Sequence, residues 1–375
     1  MKYLLIAGEA SGDKHGARLM KGLLASDREA VIHFRGGSAM KAVAEGREGW
    51  ALVGDCSEGA VMGVTAVLSK LPLLLRELRD CRHEILSWKP DAVILIDYPG
   101  FNLRIARFAA RKGFRTFYYI APKLWASRPG RIRTIKSCVE RLYVILPFEK
   151  DYFASRGVDV RYFGNPLVEE LAGCDPPRTG DSTVIALLPG SRKAEIESMM
   201  PVYMLLADSL HRREDYSSCR FLVSAAPGVP ETEFFQYVQG RESYVSVVYG
   251  KNEEVLRSSR AAVVNSGTAS LEAALLSTPQ VLCYKTSVLT YAIGRAIIRV
   301  PYIGLCNLIL NKEAVKELIQ NEFTVDNIIR DLLPLIDGGA SREHMLSDYQ
   351  EIVSLLGEGH PSEAVAGDIV SALKG

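Results

Sequence analysis

The chain holds 375 residues, and at about 150 residues per domain two domains around two cores are expected. With 45 Lys and Arg against 44 Asp and Glu, the net charge of +1 excludes a polyelectrolyte whose overall field recruits nucleic acid, so any electrostatic partner must be met locally. Hydrophobic residues at 48% and charged residues at 24% exclude a long disordered or low-complexity segment.

In chain order, short aliphatic or β-branched runs alternate with helix-length amphipathic segments. The first half offers strands at Tyr3 to Ala7, Val31 to Arg35, Ala92 to Ile96, Thr116 to Ile120 and Leu142 to Leu146. The second half offers Val184 to Leu188, Arg220 to Ser224, Val245 to Val248, Ala261 to Asn265 and Gln280 to Tyr284. Runs apolar on both faces belong to parallel sheets covered by helices, so the expected class is α/β with two doubly wound, Rossmann-like sheets. The join is expected between Gly164 and Asp181, where Asp175-Pro176-Pro177-Arg178-Thr179-Gly180 has linker chemistry. That gives residues 1–165 and 166–344, followed by two tail helices within Arg342 to Gly375. Because open α/β sheets bind ligands beyond the carboxyl ends of their strands, the site is expected between the halves.

Met1 to Ala7 is too short for a signal-peptide core and reads as a buried strand. Val288 to Leu310 carries Arg295 and Arg299 near its middle, which argues against a spanning helix. The seven cysteines are never closer than 23 residues and form no CxxC, so they read as reduced core residues of a cytoplasmic protein.

Four loops carry candidate chemistry. Gly8-Glu9-Ala10-Ser11-Gly12-Asp13 leads from a strand into a helix, where small residues admit a ligand or simply permit a tight turn. Asp97 lies just past a strand within Leu95 to Asn102, placed as a general base or a helix cap. Pro189-Gly190-Ser191-Arg192 offers amides and a guanidinium suited to a pyrophosphate. Ser266-Gly267-Thr268 opens a helix, and Glu272 follows as an acceptor for a ribose diol or as a surface glutamate. Gly250-Lys251 is followed by Asn252, so no phosphate-binding GxxxxGK[ST] loop exists, and HExxH and Asp-x-Asp are also absent. Neither a metal nor another cofactor is expected.

Residues 101–141 hold eight Arg and three Lys against Glu140 alone, a local balance of +10, interleaved with Phe108, Phe114, Phe117, Tyr118, Tyr119 and Trp125. Single-stranded nucleic acid, an anionic bilayer, a phosphorylated substrate or plain solvated helix faces would each suit that mixture. Val61 to Leu75, including Val67, Leu68 and Leu71, is more apolar than a covering helix requires and is followed by Arg76, Arg79 and Arg82. It reads as a membrane-interface or acyl-binding segment, or as a core helix.

Taken in this order, GEASGD, Met62-Gly63, Ile96-Asp97-Tyr98-Pro99-Gly100-Phe101-Asn102, Leu146-Pro147-Phe148-Glu149, Leu187 to Arg192, Ser266 to Glu272 and the Asn307 region make the chain resemble the lipid-A-disaccharide synthase family. The resemblance implies a GT-B fold of two Rossmann-like domains, with a terminal helix within about 345–375 packing back on the first. It implies metal-independent inverting transfer of 2,3-diacylglucosamine from its UDP derivative onto 2,3-diacylglucosamine 1-phosphate, forming the β-1,6-linked disaccharide 1-phosphate and UDP. It further implies that Gly190, Ser191, Arg192, Ser266, Gly267, Thr268, Glu272 and Asn307 serve the UDP side. Gly8, Glu9, Ser11, Gly12, Val67, Leu68 and Leu71 would serve the acceptor and lipid side, and Asp97 or Asp13 the catalysis.

Gly100 stands where some members carry a second acid, Asn165 replaces a frequent His, and Ala121-Pro122-Lys123-Leu124-Trp125 replaces a usual Ser-Pro-x-Val-Trp. The base therefore stays open between Asp97, Asp13 and no protein group. Expected partners are the two acylated sugars and an anionic membrane surface at the cytoplasmic face of the inner membrane, without nucleic acid. A homodimer and the acyl-chain length stay open. Rival readings are another GT-B UDP-sugar enzyme, of the UDP-N-acetylglucosamine 2-epimerase or peptidoglycan glycosyltransferase type, and an RNA-holding module.

Overall fold

The computed structural model describes residues 1–56, 71–172, 183–288, 290–291 and 300–375. The chain divides into one unit of Met1–Glu169 with Gly357–Gly375 and another of Glu170–Leu356. The first runs β1 (Lys2–Ile6), α1 (Ala10–Ser26), β2 (Val31–Gly36), α2 (Ser38–Ala44), β3 (Ala51–Asp55), α3 (Leu71–Trp88), β4 (Ala92–Ile96), α4 (Pro99–Arg111), β5 (Thr116–Tyr119), α5 (Ile132–Cys138), β6 (Arg141–Val144), α6 (Glu149–Ala154), β7 (Val160–Tyr162) and α7 (Pro166–Leu171). Its seven strands are parallel in the order β3-β2-β1-β4-β5-β6-β7.

Alternation along the strands divides the core between two faces. Tyr3, Leu5, Ile94 and Phe117 pack with α1, whereas Leu4, Ile6, Val93 and Tyr118 pack with α3 and α4. All five residues of β4 are buried, as a strand covered on both faces requires.

The second unit runs β8 (Val184–Leu188), α8 (Lys193–His211), β9 (Arg220–Ala225), α9 (Thr232–Val238), β10 (Val245–Tyr249), α10 (Asn252–Ser258), β11 (Ala261–Asn265), α11 (Thr268–Leu275), β12 (Gln280–Tyr284), α12 (Leu305–Leu310), β13 (Lys316–Ile319), α13 (Val325–Asp337) and α14 (Ala340–Leu356). Its six parallel strands follow β10-β9-β8-β11-β12-β13. Strand order reverses between β1 and β4 in one sheet and between β8 and β11 in the other, the points where such sheets open to ligands.

The last helix, α15 (Pro361–Lys374), belongs to the first unit. A Cβ on Gly22 of α1 would lie 3.0 Å from Ala366 Cβ, so this glycine permits close helix approach. Asp368 ties α15 to two strands: Arg161 Nη1 donates to its Oδ1 and Tyr143 Oη to its Oδ2, each at 2.8 Å, and Arg141 pairs with it at 2.8 Å.

Three details differ from the sequence reading. Strands β3, β7 and β13 went unread, and the unit boundary falls at Glu169 and Glu170 rather than at residue 165. Residues 345–356 also belong to the second unit, because Tyr349 of α14 is buried there against Gln280 and Asp348 pairs with Lys312. The expected linker at 175–180, Met62-Gly63, Val67, Leu68, Arg295 and Arg299 lie outside the described residues. Among the described residues, Cys81, Cys219, Cys283 and Cys306 are buried free thiols, and no helix is long and apolar enough to cross a membrane.

Candidate active site

The first and second motif loops meet at the reversal of the first sheet. Gly8 follows β1 and lies against the ring of Tyr98, where an added Cβ would fall 2.1 Å from Tyr98 Cδ1. Its absent side chain therefore seats the Asp97 loop. Asp97 and Tyr98 both take left-handed backbone angles, φ 45° and 48°, and Ile120 beyond neighbouring β5 does so at 63°. Such conformations are costly for residues with a Cβ, most of all a β-branched one, and strain of this kind concentrates at functional sites.

Two neighbours hold the turn. Fully buried Asn102 donates through Nδ2 to the carbonyls of Ile6 (3.3 Å), Ile96 (3.1 Å) and Asp97 (2.8 Å), and Tyr118 Oη donates to the Asp97 carbonyl at 2.5 Å. Asn102 thereby ties β1 to β4. Burial raises the Asp97 carboxyl pKa, opposed by the charge of Lys123 and the Tyr98 amide. A carboxyl shifted toward neutrality suits proton transfer.

Asp13 has a different employment. It is 4% exposed, and its oxygens accept from the amides of Gly37 (2.6 Å), Ala39 (2.8 Å) and Met40 (3.1 Å), fixing the start of α2. Three backbone donors leave this carboxylate poorly placed as a base. Glu9 precedes α1, Ser11 is exposed on its first turn and Gly12 is buried beside Ala7. Glu149 is buried and accepts from Trp125 Nε1 (2.9 Å) and from the amides of Ile145 and Leu146, which organises the loop after β6.

At the reversal of the second sheet, Asn265 Nδ2 donates to the Pro189 carbonyl at 3.2 Å and joins the β8 and β11 loops. Gly190 has φ 106°, and a Cβ there would meet Glu195 and Asn265. Glu195 adds a partner that the sequence did not show: its Oε2 accepts from the amides of Ser191 (3.1 Å) and Arg192 (3.2 Å), and its Oε1 holds Arg192 Nη1 at 2.7 Å. The Gly-Ser-Arg turn thus already contains a carboxylate, which caps α8. In contrast, α11 opens with exposed Gly267 and Thr268 and has no side-chain cap, so its first amides face solvent.

Glu272, half-buried on α11, is held by Asn252 Nδ2 at 2.5 Å, and Ser224 Oγ donates to Asn252 Oδ1 at 2.9 Å. Sequence reading missed Asn252; its signal was the Gly250-Lys251 turn, weighed only as a failed phosphate loop. Asn307, expected on the UDP side, is also held by bonds of the fold itself. It is fully buried, donating to Val315 O and Glu317 Oε1 and accepting from the Ala314 and Val315 amides, all at 2.8–2.9 Å. With these bonds made, it clamps α12 to β13.

Both units have the architecture of GT-B nucleotide-sugar enzymes, and solved structures agree at the level of fold. UDP-GlcNAc 2-epimerase from Neisseria meningitidis, bound to UDP-GlcNAc, superimposes with TM-score 0.66 at 14% identity, covering 99% of this chain and 100% of that one. Medicago truncatula UGT71G1, complexed with UDP-glucose, gives 0.64 at 13% identity, covering 100% and 98%. Sequence comparison is more specific. The family model for lipid-A-disaccharide synthetase matches residues 3–364. Lipid-A-disaccharide synthase of Myxococcus xanthus is 37% identical over 380 residues, covering 99% of this chain and 97% of the relative, and that of Geobacter sulfurreducens is 35% identical over 384, covering 99% and 97%. The chain belongs to the lipid-A-disaccharide synthetase family and is a glycosyltransferase.

Proposed function

We propose that the chain joins two acylated glucosamines in a single inverting displacement, taking 2,3-diacylglucosamine from UDP onto 2,3-diacylglucosamine 1-phosphate. In the second unit, the opening amides of α11 with Ser266 and Thr268 bind the diphosphate, Arg192 adds positive charge, and Glu272 accepts from the ribose. In the first unit, Asp97 takes the proton of the acceptor 6-hydroxyl as that oxygen bonds to the donor's anomeric carbon. The bond from that carbon to the β-phosphate oxygen breaks, and UDP leaves with the electron pair. Its charge is met by Arg192 and the helix terminus, in line with the absence of Asp-x-Asp from the sequence.

The observation that carries the reading is the environment of Asp97: a strained turn past β4, a half-buried carboxyl with raised pKa, and Lys123 nearby. Asp97→Asn keeps the shape and removes the proton acceptor, so turnover should fall ~10²-fold or more with UDP affinity retained. Asp13→Asn should lower the melting temperature and leave most turnover in the folded protein. The reverse pattern would move the base to the first loop.

The acyl chains of both substrates favour docking at an anionic membrane surface on the cytoplasmic face of the inner membrane. Support comes from Leu73 and Leu75 on α3, which are 37% and 57% exposed and are followed by exposed Arg76 and Arg79. Within the basic block Arg115 is neutralised by Glu140, and on α3 Arg76 and Arg79 lie against Asp80, so attraction falls mainly to exposed Arg104, Arg111 and Lys112.

A further inference from the structure

Several arginines in the first unit are neutralised by carboxylates. Arg35 pairs with Glu77, Arg115 with Glu140, and Arg141 and Arg161 with Asp368. Arg104, Arg128 and Arg131 are in no ion pair among the described residues, and in this they are like Arg82, Arg111 and Arg133; their position sets them apart.

They nevertheless gather at one place. Arg107 of α4 donates through Nε and Nη2 to Thr134 Oγ1 of α5 at 3.1 and 2.5 Å, which aligns the two helices. Arg104 lies about one turn before Arg107, and Arg131 lies three residues before Thr134, at the end of the 3₁₀ turn Pro129–Arg131. Arg128 enters that turn with φ 54°, a strained conformation for an arginine. Burial first, then the charges of Arg128 and Arg104, lower the Arg131 pKa, while the Tyr118 hydroxyl opposes the shift. That hydroxyl is the one bonded to the Asp97 carbonyl. Three cations with no ion-pair partner among the described residues repel one another, and a multiply charged anion relieves that repulsion with forked hydrogen bonds.

We propose that Arg104, Arg128 and Arg131 form the subsite for a phosphate monoester carried by the acceptor. This rests on the reading of Asp97 as the base acting on that acceptor. A phosphate monoester brings nearly two negative charges near neutrality, enough to engage more than one guanidinium. The same chemistry is offered by phospholipid headgroups, so the two sources must be separated.

The test compares wild type with Arg128→Gln/Arg131→Gln, using diacylglucosamine with and without its 1-phosphate, both in neutral detergent micelles. Calorimetric affinity without donor and steady-state KM are both read, with a thermal melt as a check on folding. The preference for the phosphorylated acceptor should drop by ~20-fold or more, as expected when hydrogen bonds to a charged group are lost. The change should appear in affinity and KM rather than kcat, and binding to phosphatidylglycerol vesicles should change less than about two-fold. Should the double variant melt early, Arg128→Gln alone is exposed and should still lower the preference several-fold. An undiminished preference overturns the subsite, and loss of vesicle binding with preference intact assigns these arginines to lipid headgroups. Affinity needs no turnover, so failure of Asp97 as the base would be seen separately.

Discussion

At the residue scale, the Asp97 turn combines an unfavourable backbone with an unfavourable charge. Its carboxyl pKa is raised in the fold, so the native state binds the proton more tightly than the unfolded chain does. Stability is therefore lost as pH rises from the unfolded value through the folded one. Asp97→Asn removes that burden and should raise the melting temperature at neutral pH while turnover collapses, the trade expected of a catalytic group. The acid limb of kcat/KM should also lie above the ordinary carboxylate range near 4. A stability gain with intact turnover would make this turn merely strained. The Ser224–Asn252–Glu272 chain gives a second prediction. Glu272→Ala should weaken UDP binding by ~1.5 to 3 kcal/mol with a smaller effect on kcat, and Asn252→Ala should weaken it less by loosening Glu272. Calorimetry with UDP decides, and unchanged affinity in both variants would remove Glu272 from the ribose.

At the element scale, legibility followed burial. The interior strands were readable because they are apolar on both faces, as in Ala92 to Ile96. The missed strands are edges: β7 is half-buried throughout, β13 begins with exposed Lys316, and Leu52 of β3 is 41% exposed. An edge strand lacks one neighbour and need not show the apolar run that marks a central one. Among the site loops, glycine and small residues marked the turns correctly, yet residue type did not show which polar atoms the fold already uses. Asp13, Asn102 and Asn307 look like chemistry in sequence and act as backbone clamps in the structure. The anchor of α15 is testable at this scale. Asp368→Ala leaves Arg141, Arg161 and Tyr143 without their shared acceptor in a partly solvated site, so a loss of ~1 to 3 kcal/mol is expected in denaturant unfolding. A change below about 0.5 kcal/mol would mean that apolar packing against α1 alone retains the helix.

For the whole molecule, each sheet carries its motif loops at its own reversal, and this made the class of two Rossmann-like domains legible from the sequence. The proposed membrane docking rests on composition, and exposed Leu73 and Leu75 give it described residues to test. Leu73→Ser/Leu75→Ser should lower cosedimentation with anionic vesicles, wild-type binding should weaken with salt, and UDP affinity should persist. Equal cosedimentation of variant and wild type at low and high salt would exclude this segment from the interface. The central claim is the reaction itself, and the direct measurement is mass spectrometric and NMR identification of the product that the purified protein makes from UDP-2,3-diacylglucosamine and 2,3-diacylglucosamine 1-phosphate. The account predicts one β-1,6-linked disaccharide 1-phosphate for each UDP released, and no disaccharide from Asp97→Asn on the same timescale. UDP release accompanied by free or 2-epimerised sugar, with no disaccharide, would contradict it.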